Sequence, residues 1–167
     1  MVSAVESARS VAAAVVDPEM PMLTLDDLGV LRDVRAAGDA VTVTITPTYS
    51  GCPALEAIRD DLRAALTEAG YRSVEVRTVL SPPWSTDWIS DAGRAKLAEH
   101  GIAPPGRIGP RAAGPIPLVL GRPPARVACP RCGSRDTEEL SRFGPTACTA
   151  LHRCTACREP FEHVKEI

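Results

Sequence analysis

Aromatic residues and charge of one sign are both scarce in this chain. Phe, Trp and Tyr make up 4% of its 167 residues, and 21 acidic against 19 basic side chains leave a net charge of -2. No nucleic-acid partner is expected, because binding a phosphate backbone needs excess cations and bases stack on aromatic rings. No run approaches the roughly 18 apolar residues that a membrane-spanning helix requires, so no membrane partner is expected either.

A basic leader is also missing ahead of the Ala- and Val-rich segment 11–16, which follows Glu6. The six cysteines do not read as a disulfide framework, because five of them crowd into the last 39 residues at metal-binding spacing. Free thiols at such spacing suit a reducing compartment. We therefore expect a cytoplasmic protein.

Hydrophobic periodicity predicts an α+β domain in the first 100 residues. Apolar residues at helical spacing indicate helices, and alternation of apolar and polar residues indicates strands, the first two joined as a hairpin through Ala37-Gly38-Asp39. The predicted elements are a helix over 5–16, strands over 30–34 and 41–45, a helix over 53–69, a strand over 74–79 and a short helix over 89–100.

The segment that follows is rich in glycine and proline, which predicts an irregular connector. We divide the chain into a domain over residues 1–100, a connector over 101–125 and a small metal-stapled domain over 126–167. About 40 residues with few large apolar side chains bury too little surface to fold alone, so metal binding is expected to supply the missing stability.

Two CxxC pairs lie in this last domain, with 21 residues between them: Cys129, Cys132, Cys154 and Cys157. Four thiolates arranged tetrahedrally saturate a zinc ion and leave no position for a substrate water, so the spacing predicts a structural zinc ribbon. An iron-sulfur or redox site is the alternative, with Cys148 as a possible additional ligand and His152 close by. Otherwise Cys148 is a small buried residue and His152 an exposed ring.

Cys52 is the candidate for chemistry in the first domain. If the helix begins at Pro53, Cys52 is its N-cap, and the helix dipole then stabilises a thiolate. No nearby base or second cysteine supports hydrolase or dithiol chemistry. Two interpretations stay open, a soft ligand that captures iron or a cluster transiently, and a buried inert cysteine.

Two acidic residues end the first predicted helix. Asp17 and Glu19 flank Pro18, and their carboxylates are candidates to approach the site of Cys52. A solvated turn is the alternative interpretation.

The segments 17–21, 28–34 and 46–53, with sequences DPEMP, LGVLRDV and TPTYSGCP, resemble the iron-sulfur assembly domain family that includes SufT. Within it, the segments 80–89 (LSPPWSTDWI), 129–134 (CPRCGS) and 143–148 (FGPTAC) resemble the PaaD family, accessory subunits encoded with the multicomponent phenylacetyl-CoA epoxidase. The resemblance covers nearly the whole chain except the connector.

The resemblance implies a helper in aerobic phenylacetate degradation rather than an enzyme, with no turnover of phenylacetyl-CoA on this chain. It places cluster or iron capture on Cys52, Asp17 and Glu19, and zinc on the four CxxC cysteines. The implied cofactors are zinc and a transient iron-sulfur cluster. The implied partners are epoxidase components, above all the iron-sulfur reductase, and other iron-sulfur assembly proteins, with a homodimer as a further option.

A non-catalytic structural adaptor of the oxygenase complex, with Cys52 buried, is the alternative function. A zinc-ribbon nucleic-acid protein is disfavoured because the tail from Arg126 onward has seven basic and six acidic residues and only two aromatic residues, Phe143 and Phe161.

Overall fold

The computed structural model describes residues 4–49, 51–109 and 127–167. These form two compact units, Met1–Gly93 and Arg94–Ile167. Residues 110–125 of the predicted connector lie outside the described residues, so the division at 100 and 125 stays a prediction. The described part of the connector contains one short strand, Ile102–Ala103, which the sequence prediction missed.

The first unit has the predicted order of helix, strand, strand, helix, strand. Its elements are α1 (Ala4–Ala14), β1 (Leu31–Ala37), β2 (Ala40–Ile45), α2 (Leu55–Glu68) and β3 (Ser73–Thr78). β1 and β2 form an antiparallel hairpin in which Ala37 pairs with Ala40, and β3 pairs with β2 in parallel. The predicted α+β class is therefore confirmed for this unit.

The pattern of burial explains why these segments take these conformations. β2 alternates, with Val41, Val43 and Ile45 buried, as expected for a strand with one face on a core. α2 buries Ile58, Leu62 and Leu66, which recur every four residues and so share one face. Burying each of these side chains contributes about 1.5–3 kcal/mol. α2 contacts both β3 and α1.

Parallel pairing sends the chain out of β2 and β3 at the same edge of the sheet. Ile45 pairs with Thr78, and the backbone N–H of Val79 donates to the Ile45 carbonyl at 2.9 Å. The segment after β2 leads to Cys52, and the segment after β3 leads to the tryptophan-containing segment 84–90.

That tryptophan-containing segment is held against the loop before β1. Trp84 Nε1 donates to the Leu28 carbonyl at 2.9 Å, and the buried Asp27 accepts from the hydroxyl of Ser90 at 3.3 Å. A 3-10 turn, Thr86–Trp88, precedes α3 (Asp91–Glu99). Both tryptophans of the chain therefore lie in the first unit, where they report on its folding.

The second unit is built on a four-stranded sheet of order β4-β7-β6-β5. Its strands are β4 (Ile102–Ala103), β5 (Thr137–Ser141), β6 (Thr149–Cys154) and β7 (Pro160–Val164). β4 is parallel to β7, and the other pairs are antiparallel. A small buried cluster contains Ala103, Val127, Cys129, Cys154 and Phe161. Two of these five residues are cysteines of the CxxC pairs, so the core and the candidate metal site share residues.

Substitution of Gly29 tests how closely the tryptophan-containing segment packs against the loop before β1. Its φ is +68°, and a Cβ added there lies 2.7 Å from Trp88 Cβ and from the Trp88 carbonyl oxygen. Gly38 has a similar φ of +62° but open space around it. We expect Gly38→Ala to cost about 1–2 kcal/mol from backbone strain alone, and Gly29→Ala to cost roughly 1–3 kcal/mol more from overpacking. Urea unfolding followed by tryptophan fluorescence measures both, and equal losses would contradict the close approach.

Candidate functional site

The four cysteines of the CxxC pairs converge on one point. Their Sγ atoms all lie within 4.8 Å of one another. Cys129 Sγ is 3.8 Å from Cys157 Sγ, and Cys132 Sγ is 3.6 Å from Cys154 Sγ. A tetrahedron of sulfurs at about 2.3 Å from zinc has edges of about 3.8 Å. Two of the six sulfur pairs therefore lie close to the separation that a tetrahedral zinc ion requires, and the four thiols can fill all four ligand positions.

Both CxxC segments use the same backbone turn. The residue after the second cysteine is left-handed in each, Gly133 at φ 75° and Arg158 at φ 66°. Cys129 N–H donates to the Ser134 carbonyl and Cys154 N–H to the Glu159 carbonyl, at 2.9 and 3.0 Å. The Cys157 backbone N–H points at Cys154 Sγ and is the first of several hydrogen bonds that lower the pKa of that thiol to about 7. The pKa values of Cys132 and Cys157 are raised, so the thiolate, the form that binds metal, is favoured at Cys154.

Cys148 and His152 lie elsewhere in the ribbon. Among the described residues, the metal-binding group contains the four CxxC cysteines without Cys148, whose Sγ lies 3.1 Å from Thr146 Oγ1. Cys148 is buried. The expectation of an exposed His152 is wrong, because the ring is 3% exposed and stacks on Phe161, its cross-strand partner, at 5.7 Å between centroids. Burial lowers the pKa of His152.

Cys52 does not cap α2, which corrects the prediction from Pro53. The helix begins at Leu55 with Ala54 as N-cap. Cys52 instead lies in the preceding turn, where its N–H donates to the Tyr49 carbonyl at 3.3 Å and its carbonyl accepts from Leu55 N–H at 3.2 Å. Its side chain is half-buried.

The prediction that Cys52 has a lowered pKa is also wrong. The pKa of Cys52 is raised, first by burial and then by the negative charges of Glu19 and Asp17. Hydrogen bonds from the Ala54 backbone N–H and the Thr48 side chain oppose this rise without reversing it. Cys52 is therefore a protonated thiol near neutral pH, and it becomes a thiolate when a cation takes the place of its proton.

Asp17 is a buried carboxylate held by backbone. Its Oδ1 accepts from the N–H groups of Glu19 and Met20 at 2.8 and 2.9 Å. Burial raises its pKa although these two hydrogen bonds lower it. The pKa of Glu19 is raised too, by burial and by the charge of Asp17.

Asp17, Glu19 and Cys52 thus form an acidic cluster in which each added negative charge is unfavourable. The structure brings these three predicted residues within electrostatic reach across more than 30 residues of sequence. A divalent cation near the three groups would relieve the repulsion. Among the described residues, the ligand atoms that lie close enough together to hold one ion are those of the four CxxC cysteines. Sequence reasoning missed the Thr48 and Ala54 hydrogen-bond donors, and the threonine four residues before Cys52 was the available signal.

The fold defines a class of protein in which an α+β domain with a cysteine near two acidic side chains is joined to a ribbon that carries a four-cysteine metal site. Comparisons with known families agree. Residues 8–78 match the family described as iron-sulfur cluster assembly protein, and residues 115–165 match the PaaD zinc beta ribbon domain.

Comparison with individual relatives defines the family more closely. An Escherichia coli K12 protein named as a putative component of the 1,2-phenylacetyl-CoA epoxidase is 44% identical over 89% of this chain and 85% of its own length. A Porphyromonas gingivalis protein named "Fe-S protein maturation auxiliary factor" is 34% identical over 50% of this chain and 80% of its own. A Bacillus anthracis structure of a domain of unknown function, DUF59, superposes with a TM-score of 0.52 at 29% identity, covering 56% of this chain and 90% of that one.

The chain belongs to the PaaD family. In this chain the match to the iron-sulfur cluster assembly family comes first and the match to the zinc β-ribbon follows it. Within the part of the chain that the structure describes, no helix is both long enough and apolar enough to cross a bilayer.

Asp17 offers a test of the acidic cluster. Asp17→Ala removes two backbone hydrogen bonds and should cost the first unit about 1–3 kcal/mol. Asp17→Asn keeps the accepting oxygen and removes the charge. Because the folded pKa of Asp17 is raised above its usual 3.8, ionisation destabilises the fold as pH rises through that range. Asp17→Asn should therefore equal or exceed the wild type in stability at neutral pH, an advantage that vanishes once pH falls below the usual pKa of the carboxyl. Tryptophan-monitored unfolding decides, and equal losses in both variants would disprove the charge effect.

Removal of zinc tests the ribbon. Cys129 and Cys154 are part of its small core, so a chelator should abolish slow hydrogen exchange in β6 and β7, and also in β4, which pairs with β7. The fluorescence of Trp84 and Trp88 should stay unchanged and serves as the control. Persistent protection in β6 after the metal is gone would show that the metal is not structural.

Proposed function

We propose that this chain is an accessory maturation factor that assists iron-sulfur or iron loading of the multicomponent phenylacetyl-CoA epoxidase. Its similarity to the Escherichia coli epoxidase component supports the pathway, and its similarity to the Fe-S maturation factor supports the role. In this proposal Cys52 is the transient ligand, Asp17 and Glu19 assist it, and no phenylacetyl-CoA turns over on this chain.

The acidic cluster is the observation that carries the proposal. The negative charges of Asp17 and Glu19 raise the pKa of Cys52, and the charge of Asp17 raises the pKa of Glu19, so it is unfavourable to ionise all three groups. In this proposal an arriving iron ion or cluster offsets that repulsion. Binding then exchanges the Cys52 S–H proton for an Fe–S bond, and the proton leaves to solvent. A stable cluster site has about four thiolate ligands, and this site offers one thiolate beside two carboxylates. The smaller number of thiolates favours release of the cluster to a client that supplies more of them.

The ribbon has a different role in this proposal. Its four thiolates close the zinc coordination, so the metal holds the fold, and the ribbon surface contacts the client protein. The client we favour is the iron-sulfur reductase of the epoxidase, with other iron-sulfur assembly proteins as donors. The reducing cytoplasm is the compartment that keeps the cysteines free. A homodimer that brings two Cys52 residues together is compatible with the same chemistry.

A structural adaptor in the oxygenase complex is the second candidate function. The raised pKa of the half-buried Cys52 favours it, because a protonated thiol is a poor nucleophile and a poor ligand until it loses its proton.

Metal analysis of three anaerobically purified proteins separates the two. We expect about one zinc per chain in wild type, Cys52→Ser and Asp17→Asn, with iron retained by the wild type, lost in Cys52→Ser and reduced in Asp17→Asn. Alkylation of Cys52 at mildly alkaline pH should be faster in Asp17→Asn, because a neighbouring negative charge is gone. Opposite effects of one substitution on iron retention and thiol reactivity are the signature of a cation site. Iron absent from all three, together with full epoxidase activity in cells carrying Cys52→Ser, would leave the adaptor.

A further inference from the structure

The tip of the β5–β6 hairpin presents an exposed aromatic side chain. Phe143 is 71% exposed, the highest exposed fraction of any large apolar side chain in the described residues. The tip lies at the far end of the hairpin from the CxxC turns, because β5 leads away from the first turn and β6 leads back to the second. Strands of five and six residues put roughly 15–20 Å between them. Phe143 therefore does not belong to the zinc site.

The backbone of the tip is fixed. Ser141 Oγ donates to the Phe143 carbonyl at 2.9 Å and accepts from the Phe143 N–H at 3.2 Å. Gly144 N–H donates to the Thr149 carbonyl at 3.0 Å, and its Cα packs so close to the Thr149 hydroxyl that a Cβ has no room. A backbone that is held in place before binding loses little entropy on binding, which favours the side chain it carries as an interface anchor.

Two cations accompany the ring. Lys165 Nζ lies 5.0 Å from the ring centroid and donates to the Arg142 carbonyl at 3.1 Å. The Arg142 side chain is 72% exposed and lies 3.9 Å from one carboxylate, Glu139. The tip therefore combines an apolar ring with an excess of positive charge, within a chain that is weakly acidic.

We propose that Arg142, Phe143 and Lys165 form the surface through which the ribbon docks a protein partner, and that the partner receives the ring in an apolar pocket rimmed by carboxylates. The positive charge of the tip favours a partner with carboxylates at the rim, and the exposed ring favours an apolar pocket between them. The inference rests on the proposed function, since it names the docking surface of the ribbon, and it places that surface away from the zinc site.

The probes are the purified epoxidase reductase and the purified oxygenase component, titrated with full-length zinc-loaded protein. Phe143→Ala should weaken binding to the reductase, the client favoured above, about tenfold or more, as for anchor residues, and Phe143→Leu should weaken it less. Arg142→Glu combined with Lys165→Glu should weaken it and reduce its salt dependence. The matched control is Arg135→Glu, an exposed arginine in the loop before β5, which should bind as the wild type does. Zinc content near one per chain in every variant shows that the ribbon is folded.

Tight binding by wild type that Phe143→Ala leaves unchanged overturns the docking surface and leaves the loading function standing, because iron retention by Cys52 is measured separately. Failure of wild type to bind the reductase also overturns it, and so does binding to the oxygenase component alone. Three other outcomes also overturn it. Phe143→Ala could abolish binding to a labelled single-stranded oligonucleotide, binding to anionic vesicles, or self-association in sedimentation, and each result assigns the ring to another occupant.

Discussion

The pairing of β2 with both of its neighbours is the constraint on which the first unit depends. β2 is antiparallel to β1 and parallel to β3, and it buries every second side chain. The parallel pairing requires α2 as the crossover between β2 and β3. The turn that carries Cys52 must then lie between the end of β2 and the start of α2. A slip of one residue in β2 would turn its apolar side chains to solvent and would move that turn as well.

The acidic cluster works against stability. Burial raises the pKa of Asp17, of Cys52 and of Glu19, and the charge of Asp17 raises that of Glu19 further. A fold selected only for stability would place a cation or a neutral side chain there. Backbone hydrogen bonds to Asp17 keep the carboxylate in position in spite of this cost. A cation would relieve the repulsion among these groups, and this is the physical basis for proposing them as a metal-capture site.

Periodicity predicted the elements of the first unit well, because Ile58, Leu62 and Leu66 recur at helical spacing and Val41, Val43 and Ile45 alternate. The CxxC spacing likewise predicted the four-cysteine group. Two features of the Cys52 site were not predictable locally. Pro53 favours the first helical position, yet the turn from Cys52 to Leu55 delays the helix. The pKa of Cys52 depends on burial and on charges more than 30 residues away. β4 was missed because two residues carry no period.

In the proposed function, the chain therefore combines two metal-binding chemistries that would differ in how firmly they bind. The ribbon offers four thiolates that lie within 4.8 Å of one another, with cysteines that are also part of its core, so loss of the metal costs the fold and the metal stays. The Cys52 site offers one protonated thiol and two carboxylates on a domain that is folded by its own apolar core. Under the proposal, loss of a metal there would cost only the restored repulsion among three acidic groups. Retention in one site and release in the other would then follow from whether the ligands also hold the fold together.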